Sequence, residues 1–301
     1  LRTFITHIII CFSLGACIKE IPYQTDSRYR SLPAVHCFIT PDSFVTADCR
    51  LTAPFGNKDM TVADARFTIW KAGQTLDSTL YFGNGIHRFT SNILKAGDSF
   101  VFNGTISGGQ PFSINCIMPK AIPIKTFDTT WNIVPGVGRA FTLLATFNDD
   151  AMADNYYRSF LYKTSYRYVY DYTGKLTDSF LKKEIIAMFS DNPAAMENNY
   201  NTYSSREVLF SDATFKGMSK LIEFYTTDPL AKTTKERPVS IEFHLENISK
   251  SLYEFYNTRN AHIWQQQSIS QLPGMIKGNV PGAYGVVGAY TSDFKLIQLK
   301  R

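Results

Sequence analysis

The chain has 301 residues, of which 44% are hydrophobic, 14% aromatic and only 19% charged, with a net charge of +5. Such a balance excludes an intrinsically disordered chain and fits a globular, sheet-rich one, with length enough for two domains or one large all-β unit. Lys and Arg are scattered with no run longer than Lys182-Lys183, so the clustered cations of a nucleic-acid footprint are missing.

The first element predicted is a secretory signal. A basic Arg2 precedes an apolar run through Ile8, Ile9, Ile10, Phe12 and Leu14, too short to span a bilayer, and small residues then lead into a cysteine. Leu14-Gly15-Ala16-Cys17 resembles a bacterial lipobox, in which the peptide is cut before a diacylated thiol. Residues 1–16 are then the lipoprotein signal peptide and Cys17 the lipidation site. Residues 17–30 form a polar, lipid-anchored tether. Each acyl CH₂ buried in a membrane is worth about 0.8 kcal/mol, so the lipid holds the chain without a transmembrane helix. An ordinary signal with an incidental cysteine is the alternative reading.

Between residues 31 and 122, short alternating runs separated by turn residues predict a mainly β fold opening with an immunoglobulin-like or transthyretin-like β-sandwich. Ala65 to Trp70 alternates and ends at Gly73; Gly83-Asn84-Gly85 reads as a hairpin turn; Ser99 to Asn103 and Pro111 to Cys116 are further strands. Cys37 and Cys49 sit on two runs joined by Thr40-Pro41-Asp42-Ser43, each flanked by apolar alternation partners, so both thiols are expected in one core, either bridged or as buried free thiols. Prolines 119, 123 and 135 bracket 123–137 as a linker. Residues 138–301 then read as a second β-rich domain: a strand at Arg139 to Phe147, a long hairpin from Asn155 to Tyr172 and Leu176 to Phe189, and a strand pair at Leu221 to Thr226 and Val239 to Leu245. One amphipathic helix follows through Ile248, Leu252, Phe255, Tyr256 and Ile263 with Asn247 or Ser249 as N-cap, and a Gly-rich turn leads into a closing strand.

Catalytic patterns are missing. His36, His87, His244 and His262 lie at no metal-ligand spacing, and there is no G-x-S-x-G elbow. No cofactor, metal site or catalytic residue is expected, although fold-assembled carboxylates would be invisible at this level. Asp149, Asp150, Asp154 and Asn155 offer oxygen ligands for calcium, but a turn uses the same residues for local hydrogen bonds. Tyr162, Tyr166, Tyr168, Tyr170 and Tyr172 share one parity of a strand with Phe160, while Ser159, Lys163, Ser165 and Arg167 share the other. The tyrosine face is expected to be core, with a binding ladder for a glycan or partner as the functional alternative. Gly278, Asn279, Gly285, Gly288 and Tyr290 form a second speculative contact, a loop able to press against a partner or simply to turn a tight corner.

Several stretches together resemble a known family. They are Val35 to Thr40, Val62-Ala63-Asp64-Ala65, Phe147-Asn148-Asp149-Asp150 followed by Asn155-Tyr156-Tyr157, Phe189 to Pro193, Phe210 to Gly217, Gly278-Asn279-Val280 and Gly285 to Tyr290. In order and spacing they are similar to the Bacteroidota lipoproteins grouped as domain of unknown function 4249. Asp191-Asn192-Pro193 and the longer loop at Gly282-Ala283-Tyr284 depart from that pattern. The resemblance implies an accessory or substrate-capturing subunit of a TonB-dependent outer-membrane β-barrel transporter, with no established catalytic residues. The address implied is the outer membrane, with Lys19-Glu20 favouring the cell surface over the periplasmic face. A surface glycan-binding or adhesin module and a hydrolase are the alternatives. Replacing Cys17 by Ala is expected to abolish incorporation of labelled palmitate and to release the chain from the membrane fraction, which fractionation of expressing cells checks.

Overall fold

The computed structural model describes residues 31–41, 43–52, 60–90, 94–106, 110–135, 137–196, 205–227, 233–266 and 274–299; Cys17, the signal and the tether lie outside the described residues. The fold is mainly β. Its strands are β1 (Pro33–Ile39), β2 (Thr46–Leu51), β3 (Met60–Thr61), β4 (Arg66–Lys71), β5 (Gln74–Gly83), β6 (Ile86–Phe89), β7 (Ser99–Thr105), β8 (Phe112–Ile117), β9 (Ile124–Val134), β10 (Gly138–Asn148), β11 (Tyr156–Tyr170), β12 (Leu176–Ile186), β13 (Val208–Ser211), β14 (Ser219–Thr226), β15 (Glu236–Ile248) and β16 (Tyr284–Gln298). A single helical turn, α1 (Pro193–Met196), and one long helix, α2 (Lys250–Gln266), complete the set.

One hydrogen-bonded path runs β12-β11-β15-β16-β1-β2-β6-β5-β4-β7-β8, with β13 added to β11 and β3 to β2; a second sheet holds β14-β10-β9. The path doubles back at β5, which pairs with β4 through Ser78 and with β6 from Thr79 onward. Layer β16-β1-β2-β6 therefore faces layer β4-β7-β8 in a sandwich-like arrangement. Strict alternation on both layers supplies the core: Val35, Cys37 and Ile39 from β1 meet Phe67, Phe102 and Phe112, with Phe67 and Phe102 stacked at 5.5 Å between ring centroids. Fully burying a side chain of this kind contributes roughly 1.5–3 kcal/mol. Cys37, Cys49 and Cys116 are all buried and free. Antiparallel register sets Cys37 opposite Ala47 and Cys49 opposite Val35, so the two thiols on β1 and β2 are diagonal neighbours, not a facing pair.

The remaining strands make a second two-layered body. β11 and β15 pack Tyr157, Leu161, Ile241, Phe243 and Leu245 against Leu143, Phe147, Ile222 and Phe224 of the small sheet. The outer side of β1 and β16 is covered by α2, whose buried residues Leu252, Phe255 and Tyr256 fall at i, i+3 and i+4.

β16 joins the two bodies. Its first half runs parallel to β1, Ala34 against Tyr284 through Ile39 against Ala289, and its second half runs antiparallel to β15, Tyr290 against Ile248 through Gln298 against Ser240. The division drawn from the sequence is therefore not a division of the hydrogen-bonded sheet. Nor is 123–137 a bare linker: Ile124–Val134 is β9, bonded along its length to β10. The expected pairing of Leu221 to Thr226 with Val239 to Leu245 is also corrected, because β14 pairs with β10 while β15 pairs with β11 and β16. The second strand of the long hairpin ends at Ile186, and Phe189 instead makes an isolated bridge to Tyr225. Helix α2 starts after Ser249; Ile248 closes β15 and Ile263 is exposed.

The crossing from β1 to β16 tolerates no side chain at Gly285, where φ is +103° and a Cβ would lie 2.0 Å from the Val35 carbonyl oxygen. Gly285→Ala is expected to lose about 3 kcal/mol or more in urea denaturation, whereas Gly282→Ala, at φ +71° in open space, loses only about 1 kcal/mol.

Candidate functional site

Where the two bodies meet, the connection after β8 is sewn to the second body. The Lys120 carbonyl accepts from Asn247 Nδ2 at 3.1 Å and Thr291 Oγ1 at 3.0 Å, and the Ile124 amide donates to Asp293 Oδ2 at 2.7 Å. Beside this seam lies a cavity of about 500 Å³, walled by Ile117, Met118, Tyr156 and Ile248 and rimmed by Lys120, Asp150, Asp154 and Lys250 at the start of α2.

Two of its lining residues, Asn155 and Asn247, belong to a polar network buried behind it. Asn155 Nδ2 donates to Asp149 Oδ1 at 3.0 Å, and its Oδ1 accepts from Asn247 Nδ2 at 3.2 Å. The backbone amide of Asn155 donates to Asp212 Oδ2 at 2.9 Å. Asp149 also accepts from the Tyr157 hydroxyl and, at 2.7 Å, from the Gly217 amide. Burial pushes the Asp212 carboxyl above, and the Tyr157 hydroxyl well above, their ordinary values. The calcium reading finds its carboxylates taken: Asp149 by these donors, Asp150 by Lys120 at 2.6 Å and Asp154 by Lys216 at 2.5 Å. Among the described residues no group of three or more His, Cys, Asp or Glu is placed to hold a metal ion.

The cavity suits holding a small molecule between apolar walls and a charged rim. No histidine lines it, and its one cysteine, Cys116, has a thiol pushed up to about 12 by burial, which leaves it a poor nucleophile at neutral pH. Residues 18–295 match the family model described as "Domain of unknown function (DUF4249)". The chain belongs to the DUF4249 family.

No curated protein matches the chain. Among solved structures it is similar, at 8% identity and a TM-score of 0.22, to a DUF4785 family protein from Legionella pneumophila subsp. pneumophila str. Philadelphia 1, over 70% of this chain and only 51% of that one. It is similar at 11% identity and a TM-score of 0.17 to dimeric latent PorU from Porphyromonas gingivalis, covering 90% of this chain and 21% of that one. The collagen binding domain of the Erysipelothrix rhusiopathiae surface protein RspB gives 9% identity and a TM-score of 0.18, over 90% and 97% of the two chains. Likenesses of this size carry no argument about function.

In this DUF4249 chain the motif residues Asp150, Asn155 and Tyr156 line the seam cavity together with Asn279, and Asp149 is held behind them by Asn155. The Gly278 loop makes its close approaches to its own chain. A Cβ on Gly278 would lie 2.2 Å from the Gly285 carbonyl oxygen and one on Gly288 2.4 Å from Leu252 Cγ, while Asn279 pairs strand-like with both backbone groups of Val287. Tyr290 packs against the cluster under α2. Gly278 and Asn279 thus turn the corner before β16, whereas Gly285, Gly288 and Tyr290 lie within that strand.

The tyrosine face is corrected. On β11 it is the other parity, Tyr157, Ser159, Leu161, Lys163 and Ser165, that is buried, and the tyrosines look outward. Lys163 is only 3% exposed because Glu236 neutralises it at 3.2 Å. Tyr162 is half-buried beside Phe160 and His244, Tyr166 lies under Arg237, and Tyr168 is half-buried. Tyr170 is exposed, with its hydroxyl donating to the Thr234 carbonyl, and Tyr172 is fully exposed. The ladder does not converge on the cavity. Sequence reasoning missed Lys120, Asn247 and Lys250, and their only local signal was position beside a proline or a helix start.

Helix α2, whose first turn lines the cavity, is clamped by a buried ion network. Arg158 donates to Glu207 at 2.6 Å and to Glu246 at 3.1 Å; Arg259 on α2 also pairs with Glu207, and both guanidiniums lie over the Tyr256 ring. Burial opposes ionisation of Glu207, yet Arg158 and Arg259 hold its carboxyl below the usual range. Glu246 has the weaker partner, and burial lifts its carboxyl to about 7. A carboxyl that holds its proton more tightly when folded costs stability as pH rises through the window between its unfolded value and about 7. Between pH 5 and 8, where Glu207 is ionised folded or unfolded, Glu246→Gln is expected to gain about 2–3 kcal/mol on the wild type, measured by urea denaturation across that range.

Proposed function

We propose that this DUF4249 chain is a non-enzymatic, lipid-anchored outer-membrane protein that acts as the accessory or substrate-capturing subunit of a TonB-dependent transporter. The observation that carries this reading is the arm made by β11 and β12. Bonding on the β15 side ends at Tyr168, whose amide donates to the Lys235 carbonyl, and beyond it β11 and β12 continue as a short two-stranded ribbon closed by the Asp171 to Gly174 turn. On the ribbon Tyr170, Tyr172 and Leu176 are exposed, Tyr172 completely, and Phe180 and Leu181 are exposed at its base on β12, opposite Arg167 and Tyr166.

Soluble monomers rarely leave so many large apolar groups in water along one hairpin, here with Leu181 on the face of Tyr166 and Phe180 on the opposite one, and such exposure marks an interaction surface. Tyrosine at its tip supplies contact area at small entropic cost. A lipid on Cys17 places the arm at a membrane surface, where the partner implied by the family resemblance resides and where effective concentration strengthens a weak contact. The seam cavity offers that assembly a place to hold a small ligand.

Affinity capture of the full lipidated chain from native membranes, after mild cross-linking, is expected to recover a large β-barrel protein. The combined Tyr172→Ser, Phe180→Ser and Leu181→Ser variant is expected to lose it while keeping its lipid. Recovery of no barrel by the wild type refutes the reading.

A further inference from the structure

We propose that the outer face of β4, β7 and β8 is a binding groove for a neutral saccharide chain. The register of these strands sets out the face. Thr68, Asn103 and Ser113 form one cross-strand row, Trp70, Val101 and Asn115 the next, and Ser99 with Ile117 the last. Their alternation partners Phe67, Ile69, Phe100, Phe102, Phe112 and Ile114 are buried on the opposite side, so this second set is displayed outward. The face is concave, enclosing about 760 Å³, within the roughly 300–1,000 Å³ of small-ligand sites.

Its walls are Trp70, 39% exposed, and Ile117, 64% exposed. Trp70 stands at the end of β4, where the turn through Ala72 (φ +50°) and Gly73 (φ +77°) lifts the chain and closes one end of the groove. The indole is preset, because its Nε1–H donates to Thr68 Oγ1 at 3.1 Å. This bond removes the ring's one polar demand and leaves a face to be covered. Between the walls lie Asn103, Ser113 and Asn115; Ser113 Oγ donates to Asn103 Oδ1 at 2.7 Å, which leaves the Asn103 amide N–H₂ to donate outward.

The chemistry of the ligand follows from what the groove lacks and what it offers. None of its lining residues is charged, in a chain with 31 Lys and Arg and 26 Asp and Glu. A phosphate, a carboxylate or an ammonium group would lose its water there against no counter-charge. A purely apolar ligand would strand the amides. A pyranose meets both demands: its C–H face lies on the indole by dispersion, and its hydroxyls, each donor and acceptor, match the amides and Ser113. Asn115 and Ile117 also line the seam cavity, so a ligand longer than one ring has a continuous path off the edge of the sheet.

This site stands whether or not the chain partners a transporter, and its test needs only the purified full chain. Isothermal titration with cello-, laminari-, manno-, galacto- and xylo-hexaoses, and with oligogalacturonate and a heparin hexasaccharide as charged probes, is expected to show binding of at least one neutral probe and preference for it over both charged ones. Trp70→Ala is expected to weaken that binding about tenfold or more, Trp70→Phe to recover part of it, and Asn115→Ala to weaken it about threefold. Trp131→Ala, which removes a half-exposed tryptophan elsewhere, is expected to leave it unchanged. Matching thermal melts certify that each variant is folded. Binding of no neutral probe at millimolar concentration, stronger binding of a charged probe, or affinity indifferent to Trp70 overturns the proposal.

Discussion

The fold depends on one strand that changes partner halfway. β16 spends Tyr284 to Ala289 beside β1 and Tyr290 to Gln298 beside β15. That exchange keeps a single ladder of backbone hydrogen bonds running through both bodies, and it presents the outer side of β1 and β16 together as one seat for α2. The seam cavity, the Lys120 stitches and the buried Arg158 network all lie within a few residues of the exchange. Gly285 and Gly288 mark where backbone and helix come too close for any side chain.

Much of the strand inventory was legible because it is written locally. Alternation at Val35, Cys37 and Ile39 or at Phe100 and Phe102, the Gly73 and Asn84-Gly85 turns, and the hairpin joined by Thr173-Gly174-Lys175 each announce themselves within a few residues. The partner of β1 does not, since a parallel ladder leaves no mark on the sequence between its strands. The polarity of β11 misled for a physical reason: Lys163 and Ser165 read as a solvent face, but Glu236, far along the chain, lets the lysine turn inward. Prolines around β9 suggested a crossing, whereas an edge strand tolerates them at its ends. The cavity was hidden because it is assembled from the end of β8, the turn before β11, the start of α2 and Asn279. Among its lining residues only Asp150, Asn155, Tyr156 and Asn279 stood in motifs.

The two proposed surfaces occupy the two ends of the same strand path. β12, which carries the apolar arm, begins it, and β8, which carries one wall of the groove, ends it. Both are edge strands, where a sheet is free to meet other molecules because no neighbouring strand covers it. The arm shows exposed Tyr170, Tyr172 and Leu176 near its tip; the groove is uncharged, concave and polar between its walls. Their chemistry separates the work of gripping a protein from that of gripping a sugar.

The partner exchange in β16 also dictates a timetable. Cys37 pairs with Val287, about 250 residues later in a chain made from its N-terminus, so the first sandwich layer waits for β16, the last of the described strands. Closing so long a loop costs little more than closing a short one, but reaching it is slow. Until then the outer edge of β1 stays open and the core thiol of Cys37 lacks its cover. The nascent chain therefore passes through a long window in which an edge and a hydrophobic interior are available to the wrong neighbour. A holding chaperone would do its work there, on the strands around β1, although the missing piece is β16, far along the chain.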